Sequence, residues 1–193
     1  MNVYDFDKTI FKYDSTEKFY IFCLKRHKKI LLRTPNLIKS YLKFYKLHKG
    51  TKLEFKTNMY QFLKDINIRK DVNDFWEQNK KYIKPWYLKQ KKNTDIIISA
   101  SPEFLLKPIC DELGVSLIAS KVSPITGKTN GKNCYNIEKV NRLKDEYNEF
   151  HIENFYSDSY SDTPLALLAD NAFIVDDNKL IPWDFNAKYE VII

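Results

Sequence analysis

Apolar residues recur along this chain in two rhythms, and the change between them divides it. Between about position 15 and position 92 they return every three or four residues, the period of a helix with one buried side. Ser15, followed by Lys18-Phe19-Tyr20-Ile21-Phe22, resembles an N-cap ahead of an apolar run. Pro35 and Gly50 are expected breaks; between them Leu37, Ile38, Tyr41, Leu42 and Tyr45 fall on one helical face, with Lys39, Lys43 and Lys46 on the other. Further helices are predicted over 54–64 and 72–82, ending before Pro85. From position 95 onward, short apolar runs at 95–99, 115–119, 154–157 and 172–175 alternate with helical stretches at 102–113, 137–148 and 163–169, and Gly127 and Gly131 mark turns or a small hairpin within 124–132. An uninterrupted run such as Ile96-Ile97-Ile98 suits a strand covered on both faces, as in a parallel sheet. With a first strand at Asn2-Val3-Tyr4, the order predicts an α/β fold. The expected architecture is a doubly wound, Rossmann-like core built from 1–13 and 93–193, with a helical cap domain, 14–92, inserted after the first strand.

Composition narrows the chemistry. At 44% hydrophobic and 15% aromatic residues, the 193-residue chain can build a core and is not disordered. Only four glycines are present, and neither a Walker A loop nor a dinucleotide fingerprint occurs. Cys23, Cys110 and Cys134 lie far apart without CxxC or CxxH spacing, which argues against zinc and against a disulfide framework. They read as buried thiols in a reducing compartment. His27, His48 and His151 are equally scattered, so a histidine-based triad is not expected. No leader-like apolar run opens the chain and no stretch of about 18 apolar residues occurs, so a cytoplasmic protein is expected.

Three predicted strands end in polar groups suited to one reaction: Asp5-Phe6-Asp7-Lys8-Thr9, Ser99-Ala100-Ser101, and Ser157-Asp158-Ser159-Tyr160-Ser161-Asp162, with Lys139 near a helix start between the last two. In doubly wound sheets ligands bind beyond the carboxyl ends of the strands. Phosphoryl transfer needs an in-line nucleophile and neutralisation of the equatorial oxygens. Two carboxylates two residues apart can divide that labour, one attacking while the other handles protons. Asp5 and Asp158 would supply the small all-oxygen set that magnesium prefers, with a lysine and a serine hydroxyl holding the transferred group.

These segments resemble the four motifs of the haloacid dehalogenase superfamily: Asp5-Phe6-Asp7-Lys8-Thr9 the first, Ile96-Ile97-Ile98-Ser99 the second, Glu138-Lys139 with Arg142-Leu143 the third, and Ser157-Asp158 through Asp162 the fourth. The insertion just after the first motif resembles the phosphoserine-phosphatase-like subfamily. The resemblance implies a phosphatase acting through an aspartyl-phosphate, with Asp5 as nucleophile and Asp7 as general acid and base. It implies Mg2+ held by Asp5, Asp158 and the Asp7 backbone carbonyl, supported by Asp162. Ser99 and Lys139 would bind phosphate, and Thr9 would steady the loop. Two positions depart from the pattern: Lys8 stands where many relatives have glycine, and Ser-Ala-Ser-Pro replaces the Ser-Gly-Gly typical of phosphoserine phosphatases.

The net charge of +7 is concentrated. Positions 18 to 52 hold eleven Lys or Arg residues and no acid, leaving 21 basic against 25 acidic residues elsewhere. Such a basic, apolar segment could be an ordinary solvated cap, could lie on anionic lipid, or could draw in an acidic substrate. Leu117-Ile118-Ala119-Ser120, Asn133-Cys134, Glu138-Lys139-Val140, Tyr156–Ser159 and Pro164-Leu165 are similar to phosphatidylglycerophosphatase C-type enzymes, a resemblance that favours the lipid reading of the basic segment; the expected substrate is a small-metabolite phosphate or a lipid phosphate. The alternative is a basic nucleic-acid- or membrane-surface-binding module with little catalysis; with no nucleic-acid motif in the sequence, nucleic acid is not the expected partner.

Overall fold

The computed structural model describes residues 1–32, 34–47, 49 and 58–187. Six strands form one mixed sheet in the order β3-β2-β1-β4-β5-β6. They are β1 (Asn2–Tyr4), β2 (Ile96–Pro102), β3 (Ser116–Ser120), β4 (Ile152–Ser157), β5 (Ala169–Asp176) and β6 (Lys179–Pro182). The first five run parallel, and β6 folds back antiparallel on β5. The α/β expectation holds, with β1 at the centre: Val3 pairs with Ile96 on one side and with Phe155 on the other.

The two-residue period of a strand sends alternate side chains to opposite faces. Val3, Ile96, Ile98 and Phe155 pack with Val140, Leu143, Leu165 and Trp183 on one face. Tyr4, Ile97 and Tyr156 pack with Phe6, Tyr87, Leu105 and Leu106 on the other. Both faces are dry, which is why the strands read as continuous apolar runs. Full burial of a residue such as Ile97 contributes roughly 1.5–3 kcal/mol.

Helices flank the later strands: Glu103–Leu113 after β2, closed by left-handed Gly114 (φ +70°), Ile137–Glu146 before β4, and the single turn Thr163–Ala166 before β5. Between β1 and β2 lie α1 (Ser15–Arg26), α2 (Thr34–Tyr41) running into a π-helical turn at Leu42–Lys46, a 3-10 turn at Tyr60–Asp65, α3 (Ile68–Asn79) and α4 (Pro85–Gln90). In chain order the three flanking helices are α5, α6 and α7. The two connections between this segment and the sheet are laced together, Lys12 N donating to the Tyr82 carbonyl at 3.0 Å and Lys84 N to the Ile10 carbonyl at 2.7 Å.

Several local expectations change. The N-cap of α1 is Asp14, whose carboxylate accepts from Glu17 N; Ser15 is already the first helical residue. Pro35 does not break a helix but sits in the first turn of α2, and Pro85 opens α4, both at positions where the missing N–H leaves no bond unmade. The apolar face of α2 is turned partly outward, with Ile38 53% and Leu42 46% exposed. The helix expected over 163–169 is cut to four residues because β5 begins at Ala169. Gly50, the first four positions of the helix expected over 54–64 and the side chain of Tyr45 lie outside the described residues, and the later part of that expected helix is the 3-10 turn at Tyr60–Asp65.

Candidate active site

Three strand ends meet at the carboxyl edge of the sheet, on both sides of β1. Asp5, Asp7, Ser99, Lys139, Asp158 and Asp162 line one pocket of about 190 Å³. Thr9 lies against it, fully buried. All seven residues singled out in the sequence are thus brought together, from Asp5 to Asp162, 157 positions apart in the chain.

The main chain sets the framework. Asp5 N donates to the Tyr156 carbonyl at 2.9 Å, tying the β1 exit to β4. The Thr9 hydroxyl accepts from Asp158 N at 2.9 Å and lies 3.3 Å from Asp5 Oδ2 and 3.5 Å from Asp158 Oδ1. One side chain therefore fixes both the first and the fourth motif. Lys139 comes from the buried face of α6 and donates to Asp5 Oδ1 at 2.6 Å and to Asp162 Oδ2 at 2.7 Å. Ser157 Oγ donates to the same Asp162 oxygen at 2.8 Å. Burial opposes the Lys139 charge, but Asp162 and Asp5 outweigh it and hold the ammonium protonated well above the usual lysine range.

Asp7 faces elsewhere. Its Oδ1 accepts from Ser15 N, at the N-terminus of α1, at 2.7 Å, and its Oδ2 accepts from the Ser101 hydroxyl. Ser101 also contacts Ser15 Oγ at 3.2 Å and Thr16 Oγ1 at 3.0 Å. Two carboxylates two residues apart thus have different partners: Asp5 a buried lysine and threonine, Asp7 the start of a helix and a serine. Sequence reading placed Ser101 at a polar strand end but connected neither it nor Ser15 with Asp7.

Burial is the main cause that raises the acids. Asp5 is pushed up to about 8, with Lys139 opposing and the other three aspartates adding, and Asp7 to about 6, with Asp14 adding and Ser101 and Ser15 opposing. Asp158 is raised in the same way. An acid raised on folding contributes stability that is full below its ordinary value near 3.8 and is lost as pH climbs through the raised value. The metal-free protein is therefore expected to melt at steadily lower temperature as pH rises from about 4 to about 8. Thermal melts in EDTA check this; a melting temperature that rises over that window contradicts it.

A divalent cation would relieve the same crowding, and the donor set suits one. Among the described residues no three acidic, histidine or cysteine side chains close around a single point. Magnesium does not need that, since it takes one or two carboxylates and keeps several waters. Asp5 Oδ2 and Asp158 Oδ1 flank one hydroxyl, and the buried Asp162 Oδ1 has no hydrogen-bond partner.

Lys8 adopts a left-handed backbone, φ +58°, which costs a lysine roughly 1 kcal/mol where glycine would be at ease. The buried side chain of Lys84 holds it there, donating to the Lys8 carbonyl and to the carbonyl of Asp177 in the β5–β6 turn, 2.5 Å each. Burial lowers the pKa of this lysine. Sequence reading missed it, because its partner lies 76 positions away along the chain and only the fold brings the two together. Lys84→Met is expected to lower kcat roughly 10- to 100-fold with little change in KM, since the loop carrying Asp7 loses its anchor. Steady-state kinetics check this; an unchanged kcat in the folded variant contradicts it.

The profile of haloacid dehalogenase-like hydrolases matches residues 3–167. The chain belongs to this family. No curated protein matches it significantly. Among solved structures, a protein of unknown function from Bordetella pertussis Tohama I superposes with a TM-score of 0.73 at 18% identity, covering 90% of this chain and 88% of its own. A HAD family hydrolase from Salmonella enterica serovar Typhi gives 0.58 at 13% identity over 86% of this chain, which spans 59% of that longer protein. A substrate-bound phosphoserine phosphatase gives 0.53 at 16% identity, covering 88% and 82%. These likenesses show the haloacid dehalogenase-like fold, one that phosphatase enzymes share.

Proposed function

We propose that this haloacid dehalogenase-like hydrolase cleaves phosphomonoesters through a phosphorylated Asp5. An Asp5 carboxylate oxygen bonds to phosphorus as the ester P–O bond breaks, and Asp7 gives its proton to the departing oxygen. Water then attacks the aspartyl-phosphate, Asp7 takes the water proton, and inorganic phosphate leaves with Asp5 restored. Lys139 and Ser99 hold the phosphoryl oxygens, and Thr9 keeps the Asp5 and Asp158 loops in register. Magnesium, held by Asp5, Asp158 and the main-chain carbonyl of Asp7 with Asp162 behind, supplies charge neutralisation at the phosphoryl group. The observation that carries this proposal is the division of partners between Asp5 and Asp7 inside one pocket. Phosphate release from p-nitrophenyl phosphate is expected only with magnesium, lost in EDTA and regained on adding the metal. Release indifferent to EDTA would exclude the metal from the account.

The phosphoserine phosphatases that share the fold support a phosphorylated small molecule as substrate, and the basic insertion supports a lipid phosphate as the other choice. Residues 14–92 act in this proposal as the cap over the pocket. The three unpaired, buried thiols support a cytoplasmic location. No helix among the described residues is long and apolar enough to cross a membrane. Exposed Leu31, Leu32 and Leu47 beside Lys28, Lys29 and Lys46 support peripheral contact with anionic lipid. Pelleting with acidic vesicles, weakened by salt, is the expected result; equal pelleting with neutral vesicles contradicts it.

A further inference from the structure

The catalytic pocket, at about 190 Å³, has room for a phosphoryl group and little more. Beside it opens a second cleft of about 780 Å³, and the two share Asp7, Asp14, Ala100 and Tyr135. That volume falls within the range of sites for whole small molecules, roughly 300–1,000 Å³. A phosphomonoester seated on Asp5 must send its leaving group somewhere, and this is the space that adjoins the acid that protonates it.

The larger part of the cleft wall is apolar and aromatic, with Tyr20 from α1, Leu37, Ile38 and Tyr41 from α2, and Met59 with Tyr60 beyond it, while Thr16, Ser101, Asn133 and Tyr135 add neutral polar groups nearer the catalytic pocket. Its charged lining is of one sign. Among the described residues the charged side chains facing it are Asp7, Asp14 and Glu17. Lys8 lines the adjoining catalytic pocket and not the cleft, and several other nearby cations have partners or positions elsewhere. The Lys18 ammonium lies 4.0 Å from the centre of the Tyr13 ring and 4.8 Å from that of Tyr82. Arg26 pairs with Asp74 at 2.6 Å. Lys39 and Lys43 line a separate apolar groove on the outer side of α2, with Pro35, Leu42 and Leu47. The basic excess of the insertion thus does not reach the cleft through these residues, and the expectation that it draws an acidic substrate inward finds no support in the lining.

A carboxylate entering this cleft would lose its hydration, meet no described cation and face three acids. An apolar body would be buried against the aromatic wall, and a positive or neutral polar end would suit Asp14 and Glu17. We infer that the substrate is a phosphomonoester whose leaving group is bulky, largely apolar and free of negative charge. This rests on the phosphatase proposal and deepens it. It sets the cleft apart from one built for phosphoserine, whose carboxylate would meet no counter-charge among the described residues that line it. Ile38 lines both the cleft and the outer groove.

Four esters test this with the full chain and magnesium: decyl phosphate, alkyl phosphates of similar length ending in trimethylammonium or in carboxylate, and phosphoserine, with p-nitrophenyl phosphate as the reference. The first two are expected to exceed the carboxylate-ended ester and phosphoserine in kcat/KM by at least about 10-fold. Glu17→Lys is expected to raise the carboxylate-ended ester and lower the trimethylammonium ester. Equal rates across the four, or a preference for phosphoserine, by an enzyme active on the reference ester would overturn the inference and leave the phosphatase proposal standing. No release from any ester, the reference included, would overturn both. Decyl phosphate presented in vesicles or as free monomer separates the sources: a rate that needs vesicles assigns a bilayer lipid, and full activity on monomer assigns a soluble amphiphile.

Discussion

Asp5→Asn is expected to lower phosphate release by at least about 10⁴-fold, because an amide cannot form the phosphoenzyme. The substitution is nearly isosteric, and the amide oxygen can still accept from Lys139 or Thr9. Lys139 keeps its second partner, Asp162, 2.7 Å away. Removing a carboxylate that burial already pushes up to about 8 relieves a cost at neutral pH. The melting temperature at pH 7.5 without metal is therefore expected to hold or rise while activity disappears. Loss of activity together with collapse of the fold would point instead to a structural role for Asp5. Retention of activity within ten-fold of wild type would remove Asp5 as nucleophile.

Asp7→Asn gives the second large effect and separates the two half-reactions. General acid–base catalysis contributes typically about 10²–10⁴-fold. With an alkyl phosphate both halves suffer, since the alkoxide needs a proton to leave and water needs a base. With p-nitrophenyl phosphate the leaving group departs unaided, so the first half survives and the second stalls. A rapid burst of nitrophenolate, equal to the enzyme present and followed by slow turnover, is the expected trace. In wild type, with Asp7 near 6, slower protonation of an alkoxide leaving group is expected as pH climbs past that value. A variant with no burst and wild-type turnover on both esters would refute the acid–base role.

The sheet was legible because buried parallel strands advertise themselves: Ile96-Ile97-Ile98 could hardly be anything else, and Asp5, Ser99 and Asp158 each follow or end such a run. The site was legible for the same reason, since its residues sit at the ends of the strands that the pattern identifies. What stayed hidden was whatever depends on contacts between distant segments. Strand β6 is exposed along its whole length and ends at Pro182, so no apolar alternation marks it. Pro85 looks like a stop in sequence but starts a helix, because an N-terminal turn needs no N–H from it. Lys84 is one of 32 basic residues on a page, and only the fold shows it buried beneath the left-handed Lys8. The hydrogen bond from Ser15 N to Asp7 likewise needs the helix that starts there.

The central claim is a covalent bond between phosphorus and one oxygen of Asp5, and it can be read directly. Asp7→Asn, mixed with p-nitrophenyl phosphate and magnesium and quenched in acid within the burst, should carry one phosphoryl group. Peptide mass spectrometry should place it on Asp5. The Asp5→Asn/Asp7→Asn double variant should carry none. A phosphoryl group on any other residue, or burst-phase enzyme with no phosphoryl group at all, would contradict the account.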